Sequence, residues 1–289
     1  MGATTACDDE ISAVGGRGLR SRGDEMDQNI VAFILGVVEG LTEFLPVSST
    51  GHMIIVGDFL KFEGERASVF EVFIQLGAIL SVFLVYREKF MTMLQRKNWA
   101  RQDGLSLVHI IAGMLPAMAI GFIGHSFIKN YLFSPGTVII GLIAGGIFML
   151  AAEKFHQPIT VHRVDRLSVL KCFQIGLFQV LALWPGFSRS GSTIAGGLFL
   201  GVGRKAAADF SFIMAVPIML IACLYDFLKI AGKLQMADFL MFGIGFVTAF
   251  VVAYFSIIWF LRFMNNSSLA SFAYYRFVVA LVAAIYFFL

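Results

Sequence analysis

The stretch EGLTEFLPVSSTGH, at positions 39–52, places two carboxylates, the hydroxyls of Ser48, Ser49 and Thr50, and an imidazole in a segment that is otherwise apolar. Positions 30–38 before it and 53–56 after it read like hydrocarbon. An ionisable side chain in such a segment costs about 2.5–3.5 kcal/mol on membrane-insertion scales. Polar groups at this density point to a water-filled cavity, and a cavity inside a membrane points to a function.

The composition around this stretch fixes the class. Of 289 residues, 58% are hydrophobic and 14% charged, with a mean hydropathy of +0.82. A soluble domain carries about a quarter charged residues. Full crossings are predicted at 69–86, 105–124, 137–153, 209–228, 239–261 and 269–289, each near the ~20 residues that span hydrocarbon as a helix. The chain is therefore expected to be an all-α polytopic membrane protein. Its net charge is only +3, and its basic residues stand singly in loops. Nucleic acid, which needs a basic stripe, is excluded as a partner. Cys7, Cys172 and Cys223 have no ligand-like spacing and read as small hydrophobes, with no disulfide or zinc assigned. Positions 1–25 are polar and rich in Gly and Arg, and lack the apolar core of a signal peptide. They read as an expression scar or an over-extended start, with the membrane domain at 26–289.

Two further apolar stretches, 29–60 and 169–200, are each about one and a half crossings long and are broken by Pro, Gly and Ser/Thr clusters at 46–51 and 185–191. Proline removes a helix donor and glycine frees the backbone, so each stretch should split into two half-helices and return to its own side as a re-entrant hairpin. A shift of 140 residues lays Gly36 on Gly176, Glu39 on Gln179, Ser48 on Ser188, Gly51 on Gly191 and Phe70 on Phe210. This predicts an internal duplication, repeat 1 at about 26–160 and repeat 2 at about 161–289, each one hairpin plus three crossings. Three is odd, so the second repeat enters from the opposite face and the topology is inverted. One side then carries eleven basic residues (Arg87, Lys89, Arg96, Lys97, Arg101, Lys154, Arg163, Arg166, Arg204, Lys205, Arg262) and the other five (Lys61, Arg66, Lys129, Lys229, Lys233). The richer side is expected to be cytoplasmic. Both termini and the mouth of the first hairpin fall outside, and the two hairpin tips should meet near the midplane.

Glu39 and Glu43 are four apart and share a helix face with Gly36 and Gly40, whose lack of side chains invites a close neighbouring helix. Such a carboxylate pair can hold a hard divalent cation through oxygen or do acid–base work; the bland alternative is a solvated helix end. Ser48, Ser49, Thr50 and Gly51 should open a half-helix whose free N–H groups form an anion site. His52 lies three residues beyond Ser49, within reach of its hydroxyl on a first turn, and a Ser–His pair is a candidate nucleophile and base; a plain N-cap cluster is the structural alternative. The second tip, PGFSRSGST at 185–193, sets Arg189 among Ser188, Ser190, Gly191, Ser192 and Thr193. Its planar fork suits phosphate, though an Arg in a loop also snorkels. Glu71, Gln75, Asp226 and Arg276 read as inter-helix hydrogen-bonding groups.

The two motifs together, in this order on so apolar a chain, resemble the bacterial integral-membrane undecaprenyl-pyrophosphate phosphatases, the BacA type linked to bacitracin resistance, over about 26–289. The resemblance implies hydrolysis of a C55 lipid pyrophosphate to its monophosphate in the bacterial cytoplasmic membrane, dependence on a divalent cation (Mg or Ca), and a site open to the outer face. Combined with the residue chemistry, it makes Ser49 the candidate nucleophile activated by His52, with His52 itself as alternative. Glu39 and Glu43 would hold the cation or move protons. Arg189, with Ser48, Thr50, Gly51, Ser188, Ser190, Gly191 and Thr193, would bind the pyrophosphate. The partners expected are the polyprenyl pyrophosphate and the bilayer. Broken helices in inverted repeats also suit a secondary transporter or flippase for a polyprenyl phosphate; an intramembrane Ser–His protease would leave Arg189 and the paired Glu residues without a task.

Overall fold

The computed structural model describes residues 27–99, 104–230 and 239–289. Positions 1–25 with Cys7, and Arg101 and Lys233, lie outside the described residues, as do the side chains of Lys129, Asp226 and Lys229. The described residues form helices and loops, with one isolated bridge between Val161 and Val202. In order the α-helices are α1 (Gln28–Thr42), α2 (Ser49–Phe59), α3 (Glu65–Val85), α4 (Arg87–Leu94), α5 (Leu107–Tyr131), α6 (Pro135–Phe155), α7 (Val169–Gln179), α8 (Arg189–Phe199), α9 (Arg204–Ile230), α10 (Phe239–Asn266) and α11 (Ala270–Phe288).

Six of these, α3, α5, α6, α9, α10 and α11, are long and apolar enough to cross a membrane. Their outer faces are apolar: Phe122 and Ile123 are 88% and 85% exposed, which suits lipid and would be costly in water. By contrast α1, of 15 residues, and α2, α7 and α8, of 11 each, reach only about 22 Å and 16 Å at 1.5 Å per residue. None of the four spans the ~30 Å hydrocarbon core alone.

The breaks between these short helices have a local cause. After α1 and α7 have ended, Ser48 and Ser188 take φ of 71° and 75°, a left-handed backbone that re-aims the chain into the next helix. Each then caps the helix that follows: the Gly51 N–H donates to Ser48 Oγ at 3.4 Å, and the Gly191 N–H to Ser188 Oγ at 3.2 Å.

Glycines set the helix contacts. A Cβ on Gly36 would lie 2.7 Å from the Gly245 carbonyl oxygen of α10, and one on Gly176 would strike the Gly113 carbonyl of α5. Thus α1 packs on α10 and α7 on α5 through glycines 140 positions apart, as the shared face of Gly36 and Gly40 predicts. The two halves differ in burial. In α8 every residue from Ser190 to Leu198 is buried, whereas α2 buries only Gly51, Met53 and Gly57. The main core, with Phe44, Phe210, Phe212 and Phe260 fully buried, gathers around α9 and the end of α1.

Polar clamps gather the basic-rich connections at one end. Lys89 bonds Asp165 at 2.7 Å, Arg204 pairs with Glu153, and Glu153 also accepts the Leu269 N–H at 2.6 Å. At the opposite end the Tyr286 hydroxyl donates to Asp58 at 2.6 Å, tying α11 to α2.

Candidate active site

The two turns touch. The Ser190 hydroxyl of the second donates to the Leu45 carbonyl of the first at 3.0 Å. Arg189 Nη2 donates to Glu43 Oε1 at 3.2 Å, and its guanidinium lies over the Phe44 ring, 5.5 Å from the centroid. Both members of this ion pair are buried, their side chains 15% and 7% exposed. The two opposite charges compensate each other in a buried setting, and removal of either leaves the other uncompensated. Arg189 Nη1 also donates to the Ser211 carbonyl at 3.2 Å, which fixes the fork to α9.

Beside this pair lies a cavity of about 290 Å³. It is lined from the first turn by Glu43, Ser48, Ser49 and Thr50, from the second by Trp184, Pro185, Gly186, Ser188 and Arg189, and from α7 by Gln179. Its apolar wall includes Ala117 and Met118 of α5 and Ile218 and Met219 of α9, each pair directly following the helix-breaking Pro116 or Pro217. Each proline removes one donor from its helix ladder, yet both helices run on through it. Ser49 Oγ donates to Glu43 Oε2 at 2.5 Å. One carboxylate thus joins a hydroxyl on one oxygen and a guanidinium on the other.

The expected Ser49–His52 pair is not formed. His52 Nδ1 lies 2.8 Å from the Ser48 carbonyl oxygen and Nε2 lies 2.8 Å from the Tyr275 hydroxyl, with the ring stacked on Tyr275. A carbonyl only accepts, so Nδ1 carries the proton and Nε2 accepts from Tyr275. The imidazole is committed to the backbone of the turn and to α11, and Glu43 takes the place beside Ser49. Sequence spacing alone misses this because Tyr275 lies 223 residues away.

The structure brings Ser48, Ser49, Thr50, Glu43, Ser188 and Arg189 to the cavity. Ser190 and Thr193, expected to bind the anion, are instead used within the protein: Ser190 on Leu45, and Thr193 on the Arg189 carbonyl and, at 2.7 Å, on Ser211. Gly51 and Gly191 are buried and donate to the capping serines. Glu39 is 4% exposed and its Oε1 has no hydrogen-bond partner among the described residues. Arg276, fully buried, donates to the Leu142, Gly141 and Gly186 carbonyls at 3.2, 3.1 and 2.7 Å; it braces the second turn, the inter-helix role expected of it. Gln75 accepts from the buried Cys223 at 3.1 Å and also lines the cavity. Gln179 was visible in the sequence only as the residue opposite Glu39.

A divalent cation fits this donor set on one count: Glu39 offers a buried oxygen without a donor. Glu43 has both oxygens engaged. Among the described residues no three His, Cys, Asp or Glu side chains converge, so a cation here would complete its shell with oxygens of a bound anion or water, the usual habit of Mg²⁺.

The family model described as "Bacitracin resistance protein BacA" matches residues 32–282. The chain is 46% identical over 262 residues to "Undecaprenyl-diphosphatase 1" of Bacillus thuringiensis (strain Al Hakam), covering 90% of this chain and 99% of the relative. The protein of the same name from Bacillus anthracis is likewise 46% identical with the same coverage. That of a Bacillus cereus strain is 45% identical over 262 residues, again with the same coverage.

Proposed function

This chain belongs to the BacA family, and from that premise we propose that it hydrolyses undecaprenyl pyrophosphate to the lipid monophosphate and inorganic phosphate. The observation that carries the reading is the Glu43 carboxylate, which holds Ser49 Oγ at 2.5 Å and Arg189 at 3.2 Å in the lining of one cavity. Glu43 takes the Ser49 proton as Oγ attacks the terminal phosphorus. The P–O bond to the lipid-bearing phosphate breaks, and that phosphate leaves with the electron pair and the proton held by Glu43. Water then attacks the phosphoserine, giving up a proton to Glu43, which returns it to Ser49 Oγ as the P–O bond to serine breaks and phosphate is released. Arg189 and the first N–H groups of α2 and α8 face the charge that develops on the phosphoryl oxygens. His52, bonded to the Ser48 carbonyl and to Tyr275, holds the turn that aims Ser49.

Glu39, through its unpartnered oxygen, would hold the Mg²⁺ or Ca²⁺, with Glu43 adding charge nearby. When bound, the cation supplies positive charge to the phosphate oxygens as a Lewis acid. The same reading includes the inverted-topology repeat, with α1–α2 and α7–α8 as re-entrant hairpins. It is supported by the equal turns at Ser48 and Ser188 and by the glycine-mediated contacts of α1 and α7. With the basic-rich end cytoplasmic, the cavity opens to the outer face of the bacterial inner membrane and both termini lie outside. The relatives' names favour hydrolysis over a carrier for polyprenyl phosphate. Phosphate release by purified protein in detergent tests the choice, since detergent leaves no gradient. Equimolar lipid monophosphate and inorganic phosphate are expected; recovery of intact pyrophosphate would contradict the reading.

A further inference from the structure

Among the described residues two side-chain polar atoms are buried without a hydrogen-bond partner, Glu39 Oε1 and Gln179 Oε1. They stand 140 positions apart, at matching places in the two halves. Glu39 is accounted for above; Gln179 is not. It ends α7, is 3% exposed, and lines the cavity that holds Ser49 and Arg189. Rotating the carboxamide by half a turn exchanges its oxygen and nitrogen, so the same place can present either an acceptor or N–H donors to the cavity. As oriented, its oxygen has no donor among the described residues. A buried polar group in that state costs about 1–3 kcal/mol, and an apolar residue of the same size would avoid the cost. The position is also chemically apt. A carboxylate here, as at Glu39, would repel an anion in the cavity, whereas a carboxamide offers it N–H donors without charge.

We propose that Gln179 is a substrate-binding residue whose carboxamide donates hydrogen bonds to the diphosphate oxygens, from the half of the molecule opposite Ser49. This rests on the hydrolase reading above. It gives the second half two donors to the anion, the charged fork of Arg189 and the neutral amide of Gln179, while the first half supplies the nucleophile and carboxylates. The diphosphate would supply the partner that the described residues do not.

The test compares wild-type protein with Gln179→Leu and Gln179→Glu, measuring thermal stability in detergent together with KM and kcat for undecaprenyl pyrophosphate at saturating Mg²⁺. A hydrogen bond to a charged group is worth about ten- to a hundredfold in affinity. Gln179→Leu is expected to raise KM by that factor with a smaller change in kcat, while its melting temperature equals or exceeds that of wild type. Gln179→Glu is expected to raise KM further, by repulsion. Competitive inhibition by inorganic pyrophosphate should weaken in parallel. A Gln179→Leu protein with wild-type KM would overturn the proposal, as would one whose loss of activity only follows a loss of stability. Failure of the wild-type control to release phosphate would instead count against the hydrolase reading itself, which keeps the two outcomes apart.

Discussion

Ser48 and Ser188, 140 residues apart, hold the same left-handed turn, with φ of 71° and 75°, and each accepts the N–H three residues ahead. A non-glycine residue in this region bears a steric cost of about 1–3 kcal/mol, and in both turns the side-chain cap offsets part of it. Alanine would keep the strain and lose the cap. Glycine would lose the cap but relieve the strain. Ser188→Ala is expected to lower stability by about 1–2 kcal/mol and Ser188→Gly by a few tenths, checked by denaturation in detergent; equal losses would deny the turn its strain.

Glu43 is assigned as the base. Glu43→Gln keeps the size of the side chain and a hydrogen bond to Ser49 but cannot take a proton. Its kcat is expected to fall by about 10²–10⁴, with stability measured in parallel because Arg189 loses its ionised partner. A kcat within a few-fold of wild type would move the base elsewhere.

Glu39 and Glu43 separate the cation from the proton. Excess chelator is expected to abolish turnover, since the Glu39 carboxylate, one helical turn from Glu43 and with Oε1 unpartnered among the described residues, opposes a bound anion unless a cation offsets its charge. Glu39→Gln should raise the Mg²⁺ concentration needed for half-maximal activity by at least about tenfold, with kcat recovered at saturation. Glu43→Gln should not be rescued by Mg²⁺ at any concentration. Turnover unchanged in chelator would remove the metal.

Arg189 offers a planar pair of donors where lysine offers a point charge. Arg189→Lys keeps a cation beside Glu43, so the buried carboxylate is not stranded. Its kcat is expected to fall by about 10²–10³ with a smaller change in KM, the pattern of a contact made in the transition state. A rise in KM alone would limit Arg189 to holding the ground state.

The orientation rests on basic residues. With Cys7, Cys172 and Cys223 replaced by Ala, a Cys at Phe133 is expected to react with an impermeant thiol reagent from outside, and one at Lys97 to be shielded. Both positions are exposed, and Phe133 spares the α6 cap at Ser134. The reverse pattern would invert the topology.

Much of this architecture is legible in the sequence because bilayer thickness sets a length scale that hydropathy can read. The six apolar helices fall where their runs of Leu, Ile, Val and Phe predict, and the contact of Gly36 with α10 follows from the bare face it shares with Gly40. The meeting of the two turns follows from their matching motifs. The partner of Ser49 does not. Spacing favoured His52, but the positive φ at Ser48 and the distant Tyr275 commit its ring elsewhere, and Glu43 returns across the turn to take the hydroxyl. Ser190 and Thr193 looked free as a string of hydroxyls; Leu45 and Ser211, remote in sequence, occupy them. Gln179 shows no chemistry in its own surroundings, and only its burial without a partner marks it.

The claim on which the rest depends is that Ser49 Oγ, held by Glu43, attacks the terminal phosphorus. The most direct measurement is kcat for phosphate release from undecaprenyl pyrophosphate by folded Ser49→Ala protein, at saturating substrate and Mg²⁺. Removing the nucleophile removes the covalent step, so a loss of at least about 10³-fold is expected, with stability unchanged. A Ser49→Ala protein that turns over within tenfold of wild type would contradict the account and assign the attack to water or to another residue.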